Sequence, residues 1–267
     1  GYAAMTAANA TEDVNIAIGK YAMSAVDEGV NVGAGTHRAD HNIALGYSAL
    51  QGGDFDDVND GTSRDLLGNI AIGSYALDAT DDNPHTGTIA IGYEALTALT
   101  SGPRNIAIGY EAGKTMTTST GNTLIGYQCG RSLSQSYNAA VGSEVFYTAS
   151  SAAHNVGMGY QSGYYLTTGD YNVAIGSNSM LFNESGSNNT CLGYAAGFGP
   201  GSAASHSNNT LIGHEAGKLM STGGSNTIIG ANAADTLTVG DYNVAVGAQA
   251  LGGVTTNDIQ GNIAIGF

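Results

Sequence analysis

Residues 105–126 read Asn105-Ile106-Ala107-Ile108-Gly109-Tyr110-Glu111-Ala112-Gly113-Lys114-Thr115-Met116-Thr117-Thr118-Ser119-Thr120-Gly121-Asn122-Thr123-Leu124-Ile125-Gly126. The stretch closes on the phrase that opens it, an Asn, three residues and a Gly. The two closing glycines, Gly109 and Gly126, are 17 residues apart. The same phrase recurs along the chain, closing at Gly19, Gly46, Gly73, Gly92, Gly109, Gly126, Gly142, Gly159, Gly176, Gly193, Gly213, Gly230, Gly247 and Gly266. Its basic period is 17 residues, and the longer gaps of 19, 20 and 27 are insertions.

Positions are counted here from the closing glycine. Position −4 is Asn in 13 of 14 copies: Asn15, Asn42, Asn69, Asn105, Asn122, Asn138, Asn155, Asn172, Asn189, Asn209, Asn226, Asn243 and Asn262, with Thr88 the exception. Position −1 is always aliphatic, and −2 is Ala in nine copies. Position +3 is usually Ala, as at Ala95 and Ala112. Ile and Val favour strands, and Gly permits a tight bend at the strand's end. The local expectation is a strand of four or five residues stopped by glycine. A second short extended segment is expected in the less regular part of each repeat.

Seventeen residues are too few for a helical-hairpin repeat and enough for one coil of a β-solenoid. The expected fold is therefore all-β, a parallel β-solenoid of about 14 coils. At roughly 4.8 Å per coil it would form a rod of about 65 Å. Identical residues stack in such a fold. The Asn column is expected to form a structural ladder of side-chain amides bonded from coil to coil. The competing reading is that each Asn merely begins a turn.

Composition agrees with a thin, closely stacked core. The 267 residues include 41 Gly and no Trp, with 42% hydrophobic and only 11% charged residues. The formal charge of −15 sets nucleic acid and anionic membranes aside as partners. No apolar run reaches the roughly 18 residues of a membrane span. The organisation expected is a lead-in over 1–14 continuing from a longer chain, then a repeat solenoid over 15–267. Insertion loops are expected near 27–41, 51–68, 78–87 and 197–208.

Successive strand residues point to opposite faces. Positions −3 and −1 share one face and −2 takes the other, and both sets are apolar. Burial on both faces requires a second surface beyond the coil's own interior. A parallel homo-oligomer, a trimer, is the expectation, with the choice of interface face left open.

The phrases Gly92-Tyr93-Glu94-Ala95-Leu96 and Thr120-Gly121-Asn122-Thr123-Leu124-Ile125-Gly126-Tyr127 resemble the repeats of phage tail-fibre proteins. They are also similar to the YadA-like head repeat of trimeric autotransporter adhesins. The likeness covers roughly residues 15–267. It implies a trimer of left-handed parallel β-rolls, on a virion or at a cell surface, touching a cell-surface glycan or protein receptor. Adhesin heads use a shorter repeat, so the 17-residue spacing favours the tail-fibre branch. The function expected is a structural and adhesive fibre segment, not an enzyme. A bacterial adhesin head is the alternative, with an ice-binding solenoid and a polysaccharide-cleaving tailspike ranked lower.

Several motifs invite a chemical reading. Gly109 to Thr115 looks like a phosphate loop, but its glycines are one residue too close and no helix is expected to follow. His37 and His41 are four apart, a metal spacing only on a helix. Asp54, Asp56, Asp57 and Asp60 read as a solvated loop, without a calcium-loop pattern. Cys129 and Cys191 occupy small-residue columns and read as buried free thiols. No catalytic residue, metal or cofactor is assigned. Tyr follows the glycine at Tyr47, Tyr93, Tyr110, Tyr127, Tyr160 and Tyr194. These six either offer an aromatic stripe for contact or brace the corner between coils.

Overall fold

A computed structural model describes residues 14–24, 26, 38–52, 65–80, 83–201, 204–254 and 259–267. The lead-in through residue 13, His37, the Asp54–Asp60 cluster and most of the insertion loops near 27–41 and 51–68 lie outside the described residues. Among those described there is no helix. The chain is an all-β parallel β-solenoid of about eleven turns at a spacing near 17 residues. It divides into two compact units, Gly1–Ser136 and Tyr137–Phe267.

The first unit stacks the strands Ile16–Ile18, Ile43–Leu45, Ile70–Ile72, Ile89–Ile91, Ile106–Ile108 and Thr123–Ile125 in one parallel ladder. The register places Ile106 on Thr123 and Ile108 on Ile125, so equivalent columns pair. In the second unit the strands run from Ala139–Val141 and Val156–Met158 to Val244–Val246 and Ile263–Ile265. There Val156 pairs with Val173 and Met158 with Ile175, again across one repeat.

Each main strand has three residues rather than four or five. Backbone conformation brackets it. The residue at −5 is left-handed, as at Arg104 (φ 63°) and Tyr171 (φ 57°), and the closing glycine has φ near 140°, as at Gly109 (φ 141°). Positions +2 and +4 are left-handed as well, as at Glu94 (φ 54°) and Leu96 (φ 52°). The expected second extended segment exists in some coils only. It appears as the two-residue pairs Ala39–Asp40, Leu66–Leu67 and His85–Thr86, and again at Gly240–Asp241 with Ile259–Gln260.

The core is one side chain thick. Position −2 points inward and is fully buried at Ala44, Ala90, Leu124, Ala174 and Cys191. Residues at +3, +4 and +7, such as Ala95, Leu96 and Leu99, fill the rest of the interior. The aliphatic residues at −3 and −1 point outward. This resolves which strand face is internal: the column that is Ala in nine copies faces in and also accommodates Leu124, Leu211 and Ile228, while the Ile and Val ladder covers the outside.

Candidate functional site: the side-chain ladders and the outward strand face

From Asn42 to Asn243 the Asn column is buried, and none of its buried amide atoms lacks a partner. In the second unit Asn172 accepts hydrogen bonds at Oδ1 from the backbone N–H and the Nδ2 of Asn189, both at 3.0 Å. Asn172 Nδ2 donates to Gly186 O at 2.9 Å, the carbonyl three residues before Asn189. Asn209, Asn226, Asn243 and Asn262 repeat the link at Oδ1 to the preceding Asn. Asn138 opens the run in that unit and receives Asn155.

In the first unit Asn15, Asn42 and Asn69 form one run, and Asn105 with Asn122 forms another. The amide therefore holds a strand and the returning chain of the next coil at once. A buried amide left unpaired would cost a few kcal/mol, roughly 1–3 in proteins. Complete pairing is what keeps Asn at this position, and a turn-starting role alone would not bury it.

Thr88 breaks the ladder in the first unit. Its N–H still donates to Asn69 Oδ1 at 2.9 Å, but its buried hydroxyl has no partner. Asn105 consequently turns its Nδ2 onto Gly102 O at 2.8 Å as well as Ser119 O at 2.7 Å.

A second polar ladder stands at −6. Asp170 Oδ1 accepts from Ala153 N–H at 2.7 Å, and Ser187 Oγ accepts from Asp170 N–H at 3.0 Å. Ser207 and Asp241 do the same for Ser187 and Gly224. These side chains take over where the backbone pairing lapses. The signal was present in one column of the sequence as Ser or Asp six before the glycine.

The tyrosines form stacks. Tyr47, Tyr93, Tyr110 and Tyr127 join Tyr21 and Tyr75 in a six-ring column within the first unit, with neighbouring centroids 5.3–6.2 Å apart. Each inner ring has a neighbour on both sides, which leaves hydroxyls and ring edges outward. In the second unit Tyr194 stacks on His214 at 5.2 Å, and Tyr160 has serines at the same column in the coils on either side, Ser143 and Ser177. His154 sits between Tyr137 and Tyr171 at 5.2 and 5.0 Å. Tyr165, Phe182 and Phe198 carry another aromatic run toward the insertion near 197–208.

Beside the first-unit tyrosines, Glu111 accepts from Lys114 Nζ at 2.8 Å, Gln128 Nε2 at 2.8 Å and Arg131 Nε at 2.9 Å. The Lys114 bond leads these in lowering the Glu111 carboxyl to about 2. Lys114 also reaches Glu94 at 2.5 Å. The lysine of the phosphate-loop look-alike is thus spent on two carboxylates, and Gly213 to Lys218 repeats the bridge to Glu215 at 2.8 Å.

Two histidines lie wholly inside, both at −7 of coils lengthened by insertions. His85 donates from Nε2 to Thr100 O at 2.9 Å, and burial lowers its pKa. His206 donates from Nε2 to Gly197 O at 3.1 Å and faces Asn183 Nδ2 across 3.4 Å at Nδ1. Burial pushes its pKa down to about 4. Cys129 and Cys191 are buried and form no disulfide, and burial raises Cys129 to about 12. Among the described residues no group of three His, Cys, Asp or Glu is arranged to hold a metal.

The outward strand face is apolar and partly exposed. Ile18 is 63% exposed, Met158 48%, Leu192 42% and Val156 40%. Its hydroxyl-bearing exceptions at −3 are Thr123 in the first unit and Thr190, Thr210 and Thr227 on successive coils of the second. No family model, curated protein or solved structure matches this chain.

Proposed function

We propose that the chain is a structural and adhesive fibre segment of a phage tail or similar virion appendage, a parallel homotrimer of fourteen-coil solenoids. Its task is mechanical. A stiff trimeric rod holds insertion loops away from the particle for attachment to a receptor on the host-cell surface. What supports the reading is the outward face, where the −1 column is aliphatic in every coil and the −3 column is aliphatic except at Thr123, Thr190, Thr210 and Thr227, on the surface of a single chain. Soluble monomers rarely expose contiguous apolar patches of this kind, which mark interaction surfaces. Copies of the same chain, packed in parallel about a common axis, would bury both columns and repeat every loop three times. Three copies of a weak contact raise avidity.

The test is the mass of the isolated chain by sedimentation equilibrium. A three-chain species is expected. A stable monomer at micromolar concentration overturns the proposal. Ile108→Glu with Ile125→Glu, both outward, should dissociate the trimer and leave each coil folded. Ala107→Glu, which points inward, should unfold it.

A further inference from the structure

Tyr93, Tyr110 and Tyr127 stand one above another on three successive coils. The Tyr93 and Tyr110 rings are 5.4 Å apart and 15° from parallel, and Tyr110 and Tyr127 are 5.5 Å apart and 13° from parallel. All three are between 42% and 49% exposed. The pairs above them, Tyr47 with Tyr75 and Tyr75 with Tyr93, meet edge to face at 66° and 89°. Parallel offset rings bring ring carbons next to the hydroxyl into opposition, whereas an edge-on ring does not. The geometry of the lower three is that of phenols poised to couple.

We propose that Tyr93, Tyr110 and Tyr127 are a latent oxidative cross-linking site, at which a one-electron phenol oxidant joins rings of successive coils by a carbon–carbon bond. The oxidant class is a haem peroxidase with hydrogen peroxide. Each of two tyrosines gives up one electron and its hydroxyl proton to become a phenoxyl radical. The radicals join at the carbons ortho to oxygen, and the hydrogen on each joined carbon moves to oxygen, restoring two phenols. Two electrons and two protons leave in all, and they reduce one hydrogen peroxide to two waters.

The site supplies a proton acceptor. Glu94, next to Tyr93, raises the pKa of that phenol, and the charge of Glu111 acts in the same sense on Tyr110. The Glu94 carboxylate or solvent receives the proton as the electron leaves, since both oxygens of Glu111 already hold Lys114, Gln128 and Arg131. The product ties the chain to itself across one repeat, so that adjacent coils can no longer separate. Tyr147 and Tyr164, 4.9 Å apart and 6° from parallel, present the same relation once in the second unit. The Tyr137–His154–Tyr171 stack cannot, because the histidine separates its two phenols.

This inference rests on the coil geometry and not on the fibre role, so its failure would leave that role untouched. The full chain is treated with a haem peroxidase and hydrogen peroxide, digested with trypsin and read by mass spectrometry. Cleavage after Arg104 and Lys114 puts Tyr93, Tyr110 and Tyr127 on three different peptides. The expected products are the peptides of Tyr93 and Tyr110, and of Tyr110 and Tyr127, joined two hydrogens lighter than their sum. Tyr110→Phe should abolish both links and retain the one between Tyr147 and Tyr164, which also reports that the variant is folded. Oxidation of these tyrosines without those links overturns the proposal. So does an equal yield of the links from chain unfolded in urea.

Discussion

Phe146 occupies the space that a side chain at Gly157 would need. A Cβ placed on Gly157 would lie 2.7 Å from Phe146 Cζ and 2.5 Å from Val145 Cγ1. Gly163, on the same coil as Gly157, is empty for the same reason, with the ring's Cε1 2.6 Å from its Cβ position. One large residue at +4 is matched by two glycines on the next coil. Gly157 is not held in a glycine-only conformation, so its constraint is packing alone.

Gly157→Ala would restore the residue most common at its column and should nevertheless destabilise the chain, by about 1–3 kcal/mol from overpacking. Phe146→Leu should relieve the part of the cost that the ring imposes, and the contact with Val145 Cγ1 should remain. A double-mutant cycle followed by urea unfolding is expected to give a favourable coupling between the two changes. Additive effects would show that the ring and the glycine are not in contact.

Thr88→Asn should stabilise. The new amide oxygen could accept from Asn105 N–H and Nδ2, and its nitrogen could donate to Gly102 O, a carbonyl now served by Asn105. It would also remove a buried hydroxyl that has no partner. Net hydrogen bonds contribute about 1 kcal/mol each, so a gain of about 1–2 kcal/mol is expected. The measurement is the urea midpoint, and an unchanged or lower value contradicts the ladder as drawn.

The period, the Asn ladder and the small-residue interior were legible in the sequence because a solenoid sets like residues on like. Asn172 lies on Asn189, and Ala174 pairs with Cys191. The inward face was not legible, since Ile106, Ala107 and Ile108 are all apolar and polarity cannot choose between them. The choice is made only when the coil closes and −2 is buried with the residues at +3, +4 and +7. The −6 ladder of Asp170, Ser187 and Ser207 escaped notice because its residues vary, although their oxygens do the same work. The Phe146–Gly157 exchange was hidden differently: it lies between two columns, not within one.

Gly109→Ala should be far more damaging than any left-handed residue elsewhere in the coil. Leu96, at φ 52°, pays about 1–2 kcal/mol for a conformation that L-residues can reach. Gly109, at φ 141°, is in a region open essentially to glycine alone. Its Cβ would also meet the backbone of the next coil, at Gly126 O. The neighbour is main chain and cannot swing aside. Loss of folded chain, or a fall of more than about 3 kcal/mol, is expected from strain and clash together. A near-native midpoint would mean that successive glycines do not stack.

Acid should weaken the second unit through His206. The imidazole is near 6.5 when unfolded and about 4 when folded, so the unfolded chain binds the proton first. Stability is full above 6.5 and is lost as pH falls toward 4. Between pH 7 and pH 5 the loss is about 2 kcal/mol by linkage. At Nδ1 the ring has Asn183 Nδ2 and Asn189 Oδ1 each 3.4 Å away, so burial of the charge, not the want of an acceptor, is what opposes the proton. Glu111 contributes little between pH 7 and pH 5, because its carboxyl is ionised there in the unfolded chain as well; its stabilisation is lost only below about 4.5. His85 acts in the same direction as His206, in the other unit. Urea unfolding of the second unit at the two pH values, with and without His206→Gln, isolates the effect. The variant should lose most of the acid dependence while folding at pH 7. If it keeps the full dependence, the proton is being taken up elsewhere.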